Sequence, residues 1–85
     1  MPLIKLYANL RKLAGTKEIS IPGATVREVL NELVTQYPAL AGALLDKDGP
    51  RAYVVITLNG HNVTELNMLI DEEDIIAIFP PLAGG

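Results

Sequence analysis

One amphipathic helix, delimited at both ends, constrains the fold more than any other feature of the sequence. Thr25 and Glu28 form a Thr-x-x-Glu capping box, which satisfies free backbone N–H groups of a first helical turn. Pro38 ends the helix, because proline disfavours helical backbone in the residue before it. A helix with one apolar stripe must bury that stripe against a second layer. The stripe consists of Val26, Val29, Leu30, Leu33, Val34 and Tyr37.

Strand patterns on both sides of the helix supply that second layer. They alternate in polarity or are rich in β-branched and aromatic residues. Asn59 and Gly60 are a preferred two-residue hairpin turn. The predicted strands are residues 3–8 and 17–21 before the helix, and residues 53–58, 61–63 and 75–79 after it.

The remaining segments are predicted to be short or irregular. Residues 9–14 form either a turn of helix or a tight connection that ends at Gly15. A second helical turn is expected at residues 39–45, followed by a loop at 46–50. Residues 64–71 have no regular pattern, and residues 71–74 form an acidic turn.

This order of elements predicts an α+β domain with one main helix on a sheet of about five strands. Two topologies fit. In a β-grasp, the first and last strands lie side by side in the middle of the sheet. A split β-α-β arrangement needs a second full helix before the last strand, and residues 64–74 do not have that pattern. We therefore favour a mixed β-grasp sheet over residues 1–79, followed by an extended, flexible tail at residues 80–85.

The composition excludes several classes of function. The chain has 85 residues, enough for one core, and lacks cysteine, so no thiolate metal site or cysteine nucleophile is available. The net charge is −3 with scattered lysines and arginines, so we expect no nucleic-acid partner. There is no signal-peptide pattern, and the apolar runs are too short to span a bilayer. We expect a cytoplasmic protein with no membrane partner.

Few side chains are arranged for catalysis or for binding a metal. His61 is the only histidine and lies at a hairpin turn without an orienting group, which is typical of an exposed turn residue. The acidic residues 71–74 lack the alternating oxygens and central glycine of a calcium loop, so a solvated turn is expected. We predict no metal site and no bound cofactor.

The tail is the segment suited to chemistry. It reads Pro80, Pro81, Leu82, Ala83, Gly84, Gly85. The two prolines favour a stiff, extended exit, and six extended residues reach roughly 20 Å, enough to enter a partner's buried site. Glycines fit a narrow channel, and the α-carboxylate of Gly85 is the reactive group presented. ATP can convert such a carboxylate to an acyl-adenylate, which a sulfur or amine nucleophile then attacks.

Five segments of the sequence match the pattern of a known family. They are residues 4–15 (IKLYANLRKLAG), 22–26 (PGATV), 37–40 (YPAL), 55–60 (VITLNG) and 77–85 (AIFPPLAGG). In these segments the chain resembles MoaD-type proteins, the small sulfur-carrier subunits of molybdopterin synthase. The likeness covers nearly the whole chain, and the ending is its most specific part. Glu73 departs from the family, which usually has glycine before the aspartate of its last turn, and Leu82 replaces the usual valine.

The resemblance implies a ubiquitin-like β-grasp fold and a sulfur-carrier function. It implies that a MoeB-type enzyme uses ATP to adenylate Gly85, which then becomes a thiocarboxylate. The tail in its thiocarboxylate form would enter a MoaE-type large subunit and give its sulfur to a pterin precursor, in a molybdenum or tungsten pathway. The chain itself would have no catalytic side chain.

Strand alternation gives a separate prediction of a docking face. If Ile4 and Leu6 face the helix, Tyr7 faces away from it, and the same argument applies to Phe79 in the last strand. Adjacent first and last strands would pair these two rings beside the tail as partner anchors. The alternative is that one or both rings are simply partly buried.

Three other functions remain open. The chain could be a protein modifier that forms isopeptide bonds through Gly85, or a ThiS-type carrier for thiazole synthesis. It could also be a ubiquitin-like adaptor that docks with an inert tail. The thiazole carriers are usually shorter and lack the Phe-Pro-Pro segment, which favours the molybdopterin role.

Overall fold

A computed structural model describes residues 1–47 and 49–80 of the chain. The elements follow the predicted order, with a 3-10 helix at Pro38–Leu40 leading into a short third helix. The helices are α1 (Asn9–Ala14), α2 (Val26–Gln36) and α3 (Ala41–Leu44); the strands are β1 (Leu3–Leu6), β2 (Glu18–Ser20), β3 (Leu45–Asp46), β4 (Gly49–Pro50), β5 (Val55–Leu58), β6 (His61–Asn62) and β7 (Ile75–Phe79).

The main sheet is five-stranded, with the order β2-β1-β7-β5-β6. Its central strand, β7, is parallel to its neighbour β1, with Ile4 opposite Ile76 and Leu6 opposite Ile78. The pairs β1–β2, β5–β7 and β5–β6 are antiparallel. This mixed sheet confirms the β-grasp prediction, because the first and last strands lie side by side at its centre.

The core lies between the sheet and α2. Alternate residues of the strands point to this side, and the apolar stripe of α2 packs over them. Leu10 of α1 and Leu40 and Leu44 of the Pro38–Leu44 segment complete it. The buried apolar residues are Ile4, Leu6, Leu10, Ile19, Ile21, Val26, Val29, Leu30, Leu33, Leu40, Leu44, Ile56, Ile76 and Ile78.

Helix α2 begins with the predicted cap, in a slightly altered form. The Thr25 hydroxyl accepts a hydrogen bond of 3.1 Å from the Glu28 N–H. The Glu28 carboxylate accepts from the N–H of Ala24, also at 3.1 Å, rather than from the N–H of Thr25. The side chains therefore cap the helix and also fix the residue before its cap.

The first strand is shorter than its sequence pattern predicts. It ends at Leu6, and Ala8 is exposed with a positive φ of 53°. The chain turns there into α1, which places Leu10 in the core. Burial of the large apolar side chain of Leu10 stabilises this turn. The short helix, one of the two predicted possibilities for residues 9–14, is the one observed.

Two other predicted boundaries were wrong. Residues 46–50 were predicted to be a loop, but β3 and β4 pair there as a small separate hairpin, with Leu45 opposite Pro50. Strand β5 begins at Val55 rather than Tyr53, because the preceding residues turn, with the Val54 N–H donating to the Arg51 carbonyl at 3.0 Å. Tyr53 is 78% exposed.

The Asn59–Gly60 hairpin is tied to the acidic turn before β7. Asn59 and Gly60 have φ values of 50° and 90°, as a tight hairpin turn requires. The Asn59 side chain accepts from the Ile75 N–H at 2.9 Å and donates to the Asp74 carboxylate at 3.0 Å. Asp74 also accepts from the Asp71 N–H at 2.8 Å. Glu73 fits this turn without a positive φ, so the departure from the family's glycine leaves the turn unstrained.

Replacing Gly23 with alanine is expected to lower the free energy of unfolding by about 1–3 kcal/mol, because the new methyl group would overpack the start of α2. A Cβ at this position would lie 2.6 Å from Val29 Cγ2 and 2.8 Å from the Val29 backbone nitrogen. Gly42→Ala is the matched control: its Cβ meets nothing within 4 Å, and alanine favours α3 by about 0.5–1 kcal/mol. Urea unfolding of both variants measures the difference, and equal stability of the two would contradict this packing.

Asp74→Asn is expected to destabilise the protein at neutral pH by an amount that shrinks in acid. The hydrogen bond from the Asp71 N–H, and next that from Asn59, hold the pKa of Asp74 below its ordinary value of 3.8. At pH values above 3.8, the lowered pKa of Asp74 stabilises the folded state. This contribution to the free energy of unfolding is lost as the pH falls through the pKa that Asp74 has in the folded state. Glu72→Gln, in the same turn, is the charge-matched control. Urea midpoints between pH 7 and pH 2 measure the gap, and a constant gap would refute the role of the Asp74 charge.

Candidate functional site

Strand β7 carries the chain to the predicted tail. It runs through the centre of the sheet and ends at Phe79, and Pro80 follows as a half-buried residue. Proline has no N–H for the ladder, which explains why the strand ends there. Pro81, Leu82, Ala83, Gly84 and Gly85 lie outside the described residues, so the tail as a reactive segment and the domain boundary at residue 79 stay predictions.

An aromatic stack lies where β7 ends. The rings of Tyr7 and Phe79 are stacked, with centroids 4.5 Å apart and planes inclined by 12°. Because Leu6 is paired with Ile78 on the core side, the next residue of each strand lies on the opposite face of the sheet. The predicted pairing is confirmed. Both side chains are half-buried, which is the alternative to the exposed pair that the sequence predicted.

Arg11 extends this stack and was missed by the sequence analysis. Its guanidinium carbon lies 5.3 Å from the centre of the Tyr7 ring, within the range of a cation–π contact. Its Nε donates to the Leu6 carbonyl at 2.9 Å, which fixes the side chain over the end of β1. The bend at Ala8 brings Arg11 back over Tyr7. The sequence pattern predicted a strand through residue 8, so it could not show this contact.

The face of the sheet opposite α2 is apolar near this stack. Val55 is opposite Phe79 in the register of β5 and β7, and it is 45% exposed. Ile75, at the other end of β7, is 37% exposed. A contiguous apolar surface that no described element covers is typical of a protein-binding site. We call these residues the outer apolar strip: Tyr7, Val55, Ile75, Ala77 and Phe79.

The described residues offer little other chemistry. Within residues 1–47 and 49–80 no group of three His, Asp or Glu side chains is placed to hold a metal ion. His61 is exposed in β6, and the carboxylate of Asp74 is bonded within its own turn. In the same ranges, no helix has the length and apolar character to cross a membrane.

Fold and site together define a class: a ubiquitin-like β-grasp domain with an apolar sheet face beside the exit of its C-terminal segment. The sequence model of the ThiS family matches residues 4–85. The chain belongs to this family of small, ubiquitin-like sulfur carriers, which confirms the family-level resemblance found in the sequence.

Relatives in this family include both modifiers and sulfur carriers. The chain is 33% identical to small archaeal modifier protein 3 of Haloferax volcanii, over 96% of each chain. It is 31% identical to the molybdopterin synthase sulfur carrier subunit of Arabidopsis thaliana, over 96% of this chain and 80% of the relative. The solution structure of small archaeal modifier protein 1 from Methanosarcina acetivorans superimposes with a TM-score of 0.90 at 35% identity, covering 99% and 95% of the two chains.

Removing both rings of the aromatic stack is expected to lower the free energy of unfolding by less than the sum of the two single substitutions. A double-mutant cycle with Tyr7→Ala and Phe79→Ala should give a coupling energy of about 0.5–1.5 kcal/mol, because stacked rings gain that much beyond area burial. Urea unfolding measures the cycle. Tyr53→Ala, which removes an exposed ring, should change stability by less than about 0.5 kcal/mol. Additive effects of the two single variants would contradict the stack.

Proposed function

We propose that this chain is a sulfur carrier in molybdopterin synthesis and that the Gly85 carboxylate carries the sulfur. The observation that supports this most directly is that the family match extends to residue 85 and so includes the Gly-Gly ending. The likeness to the Arabidopsis thaliana subunit supports the molybdopterin role in particular.

The proposed chemistry has two steps. A carboxylate oxygen of Gly85 attacks the α-phosphorus of ATP, and pyrophosphate leaves. A sulfur nucleophile such as hydrosulfide then attacks the carbonyl carbon of the acyl-adenylate; AMP leaves with its bridging oxygen, one proton is released, and a thiocarboxylate remains. The enzyme that binds the tail supplies positioning and electrostatic stabilisation of both transition states.

Two partners follow from this proposal: a MoeB-type activating enzyme, which uses the ATP, and a MoaE-type large subunit, which receives the sulfur. Both would bind the outer apolar strip while residues 80–85 enter their active sites. Tyr7 and Phe79 are suited to this docking because their rings already stack on each other at the end of β7, next to Pro80. Rigid aromatic anchors lose little conformational entropy on binding.

A second function, protein modification, is supported by the names of other relatives. Small archaeal modifier proteins 3 and 1 of Haloferax volcanii are 33% and 31% identical to this chain. Both functions share the adenylated Gly85. They differ in the nucleophile, which is sulfur for the carrier and a lysine amine for the modifier.

Intact-mass measurement tests the proposal. The chain incubated with a MoeB-type enzyme, ATP and hydrosulfide is expected to gain the mass of one sulfur-for-oxygen replacement, located at Gly85 by fragmentation. A chain without Gly85 should fold normally and gain nothing, because the glycine that the enzyme must position is missing.

The same chain expressed in a host that lacks its own carrier separates the two functions. Restored molybdenum-cofactor synthesis supports the carrier role. Branched Gly-Gly remnants on host lysines, without restored cofactor, would favour the modifier. An unchanged mass in the first experiment would overturn the sulfur-carrier proposal.

A further inference from the structure

An open groove of about 190 Å³ lies beside the aromatic stack and is not part of the outer apolar strip, except for their shared residue Tyr7. The pairing of β1 with β2 forms its floor, with Lys5 opposite Glu18 and the Leu6 N–H donating to the Lys17 carbonyl at 2.9 Å. The residues that line it are Lys5, Leu6, Tyr7, Arg11, Lys17 and Glu18.

This groove has a positive charge in a protein with a net charge of −3. Lys5, Arg11 and Lys17 contribute three cations and Glu18 one anion. Within the part of the chain that the structure describes, none of the three cations forms an ion pair. Arg11 uses its Nε for the Leu6 carbonyl, and its terminal nitrogens are not bonded to a described residue.

The charges of the molecule are therefore separated along β7. The acidic residues 71–74 precede the strand, and the basic groove lies at its other end, where Phe79 leads to Pro80. Lys5 is opposite Ala77 at the middle of β7, and Tyr7 lies nearer the end of the strand beside Phe79, so the acidic and basic groups occupy different parts of its length. The basic end is the one at which β7 ends and Pro80 follows.

We infer that this groove is a second docking site, which binds acidic side chains of the activating enzyme that receives the tail. This inference rests on the proposed function, because it concerns the same partner. Continuity supports it: Tyr7 is a wall of the groove and also a member of the outer apolar strip, so a partner that covers the strip also covers the groove. Charge complementarity supplies the chemistry, since three cations without ion pairs favour carboxylates.

A polyanion such as nucleic acid fits this surface less well. Three of the seven lysines and arginines line this one short groove, and the rest of the chain carries a net negative charge, so a long phosphate backbone would meet repulsion beyond it. A single acidic loop on a protein surface matches the size of the groove. Its carboxylates would steer the encounter and align the tail with the partner's channel.

An enzyme-independent titration tests the chemistry of the groove in the full chain. Hexaglutamate is expected to shift the backbone amide signals of Lys5, Tyr7, Arg11 and Lys17 in a saturable manner. Tripolyphosphate and single-stranded DNA are the comparison ligands. Localised shifts with hexaglutamate support the inference; shifts spread over the surface, or tighter binding of either phosphate ligand, would overturn it.

Charge-altered variants test the role of the groove in docking to the activating enzyme. Lys5→Gln with Lys17→Glu should weaken binding about tenfold at low salt, measured by calorimetry, and should reduce its salt dependence. The matched control, Lys12→Gln with Lys47→Glu, changes the net charge equally outside the groove and should bind within about twofold of the unaltered protein. Thermal unfolding of both confirms that they fold. Equal binding by the two double variants would overturn the inference.

The readouts separate this inference from the proposed function. The groove variant should still form the thiocarboxylate at saturating enzyme, with a raised KM and an unchanged kcat, because the groove acts in docking and not in the reaction. If the unaltered protein forms no thiocarboxylate, the proposed function fails while the hexaglutamate titration still decides the role of the groove.

Discussion

The parallel pairing of β1 with β7 is the interaction on which the rest of the structure depends. It joins the first strand to the last, and β2 and β5 add to its two outer sides. The register that places Ile4 and Leu6 opposite Ile76 and Ile78 gives α2 a continuous apolar surface. The same register brings Tyr7 beside Phe79 on the other face. A slip of one residue would exchange the two faces of the strand, so the core and the stack depend on one alignment.

The two ends of β7 are held in different ways. At its start, Asn59 and the turn of Asp71 and Asp74 fix the strand through hydrogen bonds. At its end, the stack of Phe79, Tyr7 and Arg11 holds it through ring and cation contacts. Polar contacts thus lie at the start of β7, and apolar and cationic contacts lie at the end that leads to Pro80. This division leaves that end suited to an interface.

Much of this fold could be predicted from the sequence, because its strongest signals are local. The capping box at Thr25, the stripe of α2 and the turn at Asn59 each depend on neighbouring residues, and the structure confirms them. The Tyr7–Phe79 pair could be predicted once the β-grasp topology placed the first and last strands side by side. Arg11 could not be predicted, because it reaches the site through the backbone bend at Ala8, where a positive φ interrupts an alternating pattern. The β3–β4 hairpin could not be predicted either, because its pairing involves two residues on each side, too few to show an alternating pattern in the sequence.

The central position of β7 also has a consequence for folding. Its contacts with β1 join residues 3–6 to residues 75–78, and without it α2 lacks the part of its partner surface that Ile76 and Ile78 supply. Contacts between residues so distant in sequence close slowly, because the chain between them must lose its freedom first. Until then, β1 exposes an unpaired edge to other chains. The strand that leads to the proposed reactive end is therefore also the one that joins the two sides of the sheet, so the end of the chain has a fixed point of attachment only in the complete domain.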